Sequence, residues 1–128
     1  MFSPKNMTGV LQPWEQYPAA AGTYTAGQMV NAADGKINPV TGASTETPGY
    51  LCMADVTLAE GGMLPVARVV KDEIYITQLS AETAGAVVGA KLQVSAGGLQ
   101  VNGGAAGTFE VVQIEGTAAG SEVHGRFV

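Results

Sequence analysis

The sequence predicts a mainly β fold: a small β-barrel or β-tulip-like domain of two similar hairpin-based halves, with an extended N-terminal arm and at most one short helix. Three observations predict it. In Gly89–Asn102 (GAKLQVSAGGLQVN), Leu92 and Val94 alternate with Lys91, Gln93 and Ser95, a turn follows at Ser95-Ala96-Gly97-Gly98, and Leu99 and Val101 resume the alternation. A period of two gives one face to a core and the other to water, and adjacent turn glycines supply positive φ, so the stretch reads as a hairpin. Next, Gly27–Asn38 (GQMVNAADGKIN) places Gly27, Val30, Gly35 and Ile37 as Gly89, Leu92, Gly97 and Leu99 are placed. Finally, each hairpin leads into an aromatic-headed apolar run (YLCMADV, Tyr50–Val56; FEVVQI, Phe109–Ile114), a Gly turn and a short strand with an arginine, Arg68 or Arg126. Two copies are too few for a solenoid, which needs three or more stacked units. A duplicated unit closing one barrel fits the pattern, as does the chance similarity that any all-β chain offers.

In chain order, residues 1–21 form the arm and residues 22–128 the β domain. Pro4, Pro13 and Pro18 exclude a long helix from the arm. It nevertheless carries Phe2, Met7, Val10, Leu11, Trp14 and Tyr17, and a disordered tail is usually poor in such residues. Spaced apolar anchors on an extended segment suit a strand laid along another subunit; the alternative is a segment folded back over its own barrel. The intermolecular arm is the favoured reading. The chain enters the β domain at Gly22–Thr25 (GTYT), and strands are expected near 28–32, 36–40, 50–56, 64–70, 73–79, 91–95, 98–102, 108–114 and 121–127. Asp34-Gly35 is a hairpin signal and Thr47-Pro48-Gly49 a turn. The polar run Thr41–Thr47 is expected to be a flexible tip. Pro65 cannot donate to a ladder, which places it at a strand start or a sheet edge. Ser80–Val88 is read as a short helix or a loop, because Ser80 could cap it while Gly85 and Gly89 limit it.

The 128 residues suffice for one domain with a core that needs no metal or disulfide staple. Only 13% of them are charged, about half the usual share, and there are 18 glycines. Low charge with much Ala and Gly suits a surface covered by neighbours. A net charge of −5 argues against a nucleic-acid partner and against an anionic membrane surface. No secretory leader or membrane-spanning run is expected. Cys52 stands alone in an apolar strand and is read as an inert thiol.

Catalysis has little to work with. His124 is the sole histidine and lies three residues from Ser121, a spacing that puts the two on opposite faces of a strand. One His, one Cys and scattered carboxylates offer no metal-ligand cluster, so no enzyme activity, cofactor or metal is expected. The glycine pairs lack the lysine and helix of a phosphate-binding loop and read as turns. A lipoyl- or biotin-type carrier would place its lysine at a hairpin tip, but the residues around Lys36 do not fit that pattern.

The stretches GTYTAGQMV (Gly22–Val30), ADGKI (Ala33–Ile37), LPVARVVKDEIYIT (Leu64–Thr77), VVGAKLQVSAGGLQV (Val87–Val101) and SEVHGRFV (Ser121–Val128) resemble those of bacteriophage head decoration proteins, the capsid-stabilising or cement proteins. The resemblance covers about residues 20–128 and rests on strand-and-turn patterns. It implies a structural virion protein, made in the bacterial host cytoplasm, that binds the outside of the capsid as a homotrimer. Its arm residues Phe2, Met7, Val10, Leu11, Trp14 and Tyr17 would lie on the major capsid protein and bridge capsomers. On that reading, removal of Met1–Tyr17 leaves a folded barrel that no longer binds. The alternatives are a carbohydrate- or receptor-binding module of a phage fibre or cell surface, a tail or connector protein, and a small hydrolase using His124.

Overall fold

In the computed structural model, which describes residues 1–5 and 14–128, the chain is all β. The strands are β1 (Ser3–Pro4), β2 (Glu15–Pro18), β3 (Gly22–Tyr24), β4 (Met29–Ala33), β5 (Lys36–Pro39), β6 (Tyr50–Cys52), β7 (Val56–Leu58), β8 (Met63–Arg68), β9 (Tyr75–Gln78), β10 (Lys91–Val94), β11 (Val101–Asn102), β12 (Phe109–Ile114) and β13 (Glu122–Phe127). They form a five-stranded sheet in the order β2-β8-β6-β4-β5, a six-stranded sheet in the order β1-β9-β13-β12-β10-β11, and a β3-β7 ribbon.

Without β1, the two large sheets have one topology. In each half the first strand pairs with the last, the last with the fourth, the fourth with the second and the second with the third, counting β2, β4, β5, β6, β8 in one and β9, β10, β11, β12, β13 in the other. The loop hydrogen bonds repeat as well. Gly27 N–H donates to Cys52 O at 2.9 Å and Gly89 N–H to Val111 O at 2.8 Å. Cys52 N–H returns to Gln28 O at 2.8 Å and Val111 N–H to Ala90 O at 2.9 Å. Ala20 N–H reaches Ile37 O, and Ser80 N–H reaches Val101 O, both at 2.9 Å. Gly27 and Gly89 hold φ of 88° and 89°, a left-handed conformation that favours glycine. The halves are therefore two copies of one structural unit.

Each copy curls until its edge strands touch through a single parallel bridge, Ala19 to Ile37 in one and Leu79 to Val101 in the other. Two small barrels result where the sequence suggested one. The cause lies in the packing. Ala19, Tyr24, Val30, Ile37, Cys52, Leu64 and Val66 form a core within the first copy. A larger core built around Phe109, Phe127, Tyr75, Leu92 and Val123 fills the second and takes in Met29 and Leu51 from the first. The tip of the second hairpin fastens the copies together: Met29 N–H donates to Gly98 O at 2.7 Å and Gly97 N–H to Val40 O at 3.0 Å.

Several expectations change. The 95–98 turn is part of a wider loop, because consecutive left-handed Gly97 and Gly98 reach across to the first copy, and β11 begins only at Val101. Gln93 and Ser95 are buried instead of facing water; Gln93 Nε2 donates to Asn102 Oδ1 at 2.6 Å and Ser95 Oγ to Gln100 O at 2.9 Å. The 41–47 loop is tied to the second copy, with Ser44 bridged to Val94 and Thr47 Oγ1 2.8 Å from Thr108 Oγ1. Pro65 is the third residue of β8, an inner strand. Its carbonyl accepts from Met53 N–H at 3.0 Å, and β6 has ended at Cys52, so the missing Pro65 N–H faces a position beyond the ladder. Ser80–Val88 forms a loop. Arg68 and Arg126 are not equivalent positions, since Arg68 pairs with Tyr50 where Phe127 pairs with Phe109.

Candidate functional site

The N-terminal leader begins inside the protein's own fold. Phe2 is 2% exposed and packs against Phe109 and Phe127, with ring centroids 5.7 and 6.1 Å away. Its N–H donates to Gly27 O at 2.8 Å. Ser3 and Pro4 pair with Ile76 and Tyr75, and Lys5 N–H donates to Ile74 O at 2.8 Å. The expectation that Phe2 is held by another subunit is therefore corrected. The second barrel's aromatic core supplies a better apolar environment within the same chain, and β9 supplies the backbone partners that an extended segment requires. Met7, Val10 and Leu11 lie outside the described residues.

Glu15–Pro18 is also a strand of the domain, paired with β8 from Glu15↔Val66 to Pro18↔Met63. Removing residues 1–17 would take β1 and most of β2 with them, so that truncation is no clean test of an arm. Tyr17 is half-buried and packs on Tyr50 with centroids 5.3 Å apart. Its hydroxyl donates to Glu15 Oε2. Arg68 Nε donates to Glu15 Oε1 at 2.7 Å. The Arg68 guanidinium, aided by the Tyr17 hydroxyl, holds the Glu15 carboxyl below the usual carboxylate range, and the same carboxylate raises the pKa values of Arg68 and Tyr17.

Trp14, the residue before β2, has 60% of its surface exposed. Trp14 is the largest of the exposed apolar side chains among the described residues, which include Met63, Val87 and Val88, and a solvated indole beside an edge strand is a feature the fold does not account for. Tyr17 also lines a cavity of about 250 Å³ against the hairpin tip 32–37. Sequence reasoning singled out Trp14 and Tyr17 but missed Arg68 and Glu15, because the pairing of β2 with β8 joins residues 53 positions apart.

The other candidates are His124 and Cys52. His124 Nε2 lies 2.6 Å from Glu122 Oε1, and its buried Nδ1 meets no partner among the described residues. Cys52 Sγ donates to Ala54 O at 3.2 Å, and burial pushes its thiol above the ordinary value, away from the nucleophilic thiolate. No group of three or more His, Cys, Asp or Glu among the described residues could hold a metal ion. A cavity of about 760 Å³ lies between the 80–85 loop, residues 90–92 and the 102–106 loop, with no aromatic ring in its wall. The chain matches no protein-family model, and no curated protein is detectably similar to it.

Proposed function

We propose that the chain is a structural virion protein that binds the outer surface of a phage capsid and stabilises the shell by bridging capsomers. In this reading it acts as a homotrimer on the major capsid protein, without enzymatic activity. One observation carries the reading: Trp14, the chain's only tryptophan, is solvent-exposed at the sheet edge where the leader meets the domain. Tryptophan and tyrosine are enriched among the side chains that anchor protein interfaces. The low charge and the resemblance of residues 20–128 to decoration proteins agree with it. Phe2 is withdrawn from the contact, leaving Trp14 and Tyr17 of the described arm residues.

Co-sedimentation with expanded, undecorated shells of the phage that encodes the chain tests the proposal. The full chain should bind, and Trp14→Ala should weaken binding by about tenfold or more while leaving the fold intact. Failure of the full chain to sediment with such shells overturns the reading.

A further inference from the structure

The internal duplication allows one half to be read against the other. β9 and β2 are equivalent strands, and the outer edge of β9 is covered: Ser3 and Pro4 pair along it, Lys5 N–H donates to Ile74 O, and Phe2 plugs the adjoining core. β2 presents the same edge. Ala19 N–H points toward β8, donating to Gly62 O at 2.9 Å. Strand alternation then turns the backbone groups of Tyr17 and Glu15 toward β8 and those of Pro18, Gln16 and Trp14 away from it. Among the described residues no strand pairs with β2 on that outer side before the bridge from Ala19 to Ile37. The cavity of about 250 Å³ beside Tyr17 adjoins this edge, and Trp14 flanks its far end.

We infer that the outer edge of β2 docks an extended strand of another protein, antiparallel to β2 and anchored by one apolar side chain in the cavity beside Tyr17. The chemistry of the occupant follows from the equivalent edge. Its backbone satisfies the outward groups of Trp14 and Gln16, and pairing stops at Pro18, which has no N–H to offer. The anchor sits opposite Tyr17, as Phe2 sits opposite Thr77 one residue before the Ser3↔Ile76 pair. Phe2 itself is not available, being buried in the second barrel. The site goes beyond the capsid reading, since any assembly that supplies such a strand would use it.

The test uses the full, ¹⁵N-labelled chain and three synthetic heptapeptides: Thr-Val-Thr-Phe-Thr-Val-Thr, its Phe-to-Ala counterpart, and the Phe peptide N-methylated at alternate residues. The Phe peptide should shift the Trp14 and Gln16 amide resonances saturably and move the Trp14 emission to the blue. The Ala peptide should bind at least about tenfold more weakly, and the N-methylated peptide should lose binding. Gln16→Pro, which deletes an outward N–H, should also abolish the shifts; if that variant does not fold, the N-methylated peptide asks the same question from the other strand. The inference is overturned by unsaturable or scattered shifts, by equal binding of the N-methylated peptide, or by the 13.0 kDa chain doubling its mass through Trp14 and Gln16 without peptide.

Discussion

Replacing Phe2 by alanine is the sharpest test of where the leader belongs. If residues 1–5 were an arm waiting for a partner, the substitution would leave the stability of the isolated chain unchanged. In the structure Phe2 is buried between Phe109 and Phe127, and those two rings pack on each other at 5.1 Å, so the three form one aromatic cluster. Truncating a buried phenylalanine costs about 3–5 kcal/mol, counting both lost transfer energy and the cavity left behind. Across 128 residues, an unfolding entropy of about 2.1 cal/mol/K per residue turns that loss into a Tm lower by about 11–19 °C. The assay is thermal unfolding by circular dichroism, with urea titration as a check that both variants unfold in one step. Trp14→Ala is the control: its side chain is largely in water, and its Tm should stay within about 3 °C of the parent's, a surface substitution's worth. A Phe2→Ala variant that melts within about 3 °C of the parent would refute the placement of β1 on β9.

Two further outcomes follow from local geometry. Gly98 and Gly35 hold left-handed φ values of 76° and 78°, but a Cβ on Gly98 would lie 2.3 Å from Met29 O, whereas one on Gly35 would meet nothing within 4 Å. In urea titrations Gly35→Ala should cost about 1–2 kcal/mol of backbone strain, and Gly98→Ala more than about 4 kcal/mol because it also breaks the joint between the barrels; equal losses would contradict the joint. Acid should weaken the fold through Glu15 and Glu60, held below their ordinary value of 4.5 chiefly by Arg68 and by Lys36. A carboxyl depressed in the folded state contributes stability above its unfolded value and loses it as pH falls through the folded one. Tm should therefore drop below pH 4.5, and the drop should be smaller in the Glu15→Gln/Glu60→Gln variant.

What the sequence disclosed about the fold was local. The Asp34-Gly35 turn was legible because Asp-Gly suits a type I′ hairpin turn, which requires positive φ at both positions, and the structure has 54° and 78° there. The long runs around Leu64–Val70 and Phe109–Ile114 were legible because β-branched and aromatic residues cluster in them. The pairing of β1 with β9 was not, since a strand of two residues between Phe2 and Lys5 is too short to carry a periodicity, and the burial of Phe2 depends on rings more than a hundred positions away. The repeated hairpins were visible, yet the partner of Ile37 is Val101 and not Leu99, because the second loop is longer and is spent on reaching the first barrel. For the candidate site, exposed Trp14 was picked out by type alone. Arg68 and Glu15 were silent because an arginine near a strand end is ordinary until its register partner is known.

The two copies share a backbone plan but part company at one end of the barrel. In the second, the strand ends there hold Phe109, Phe127 and Tyr75, and the chain's own Phe2 completes the apolar set. In the first, the equivalent positions hold Tyr50, Arg68 and Glu15, with Arg68 and Glu15 ion-paired and left partly in water. Folding does not demand this difference, because the second copy demonstrates that the same plan accepts an all-apolar seal. A polar, open end beside a strand left uncovered by the described residues, and beside an exposed indole, serves the isolated chain poorly, because a solvated ion pair such as that of Arg68 and Glu15 adds little to stability. The divergence makes physical sense when the end is completed from outside, by a strand that does for β2 what Ser3–Pro4 does for β9.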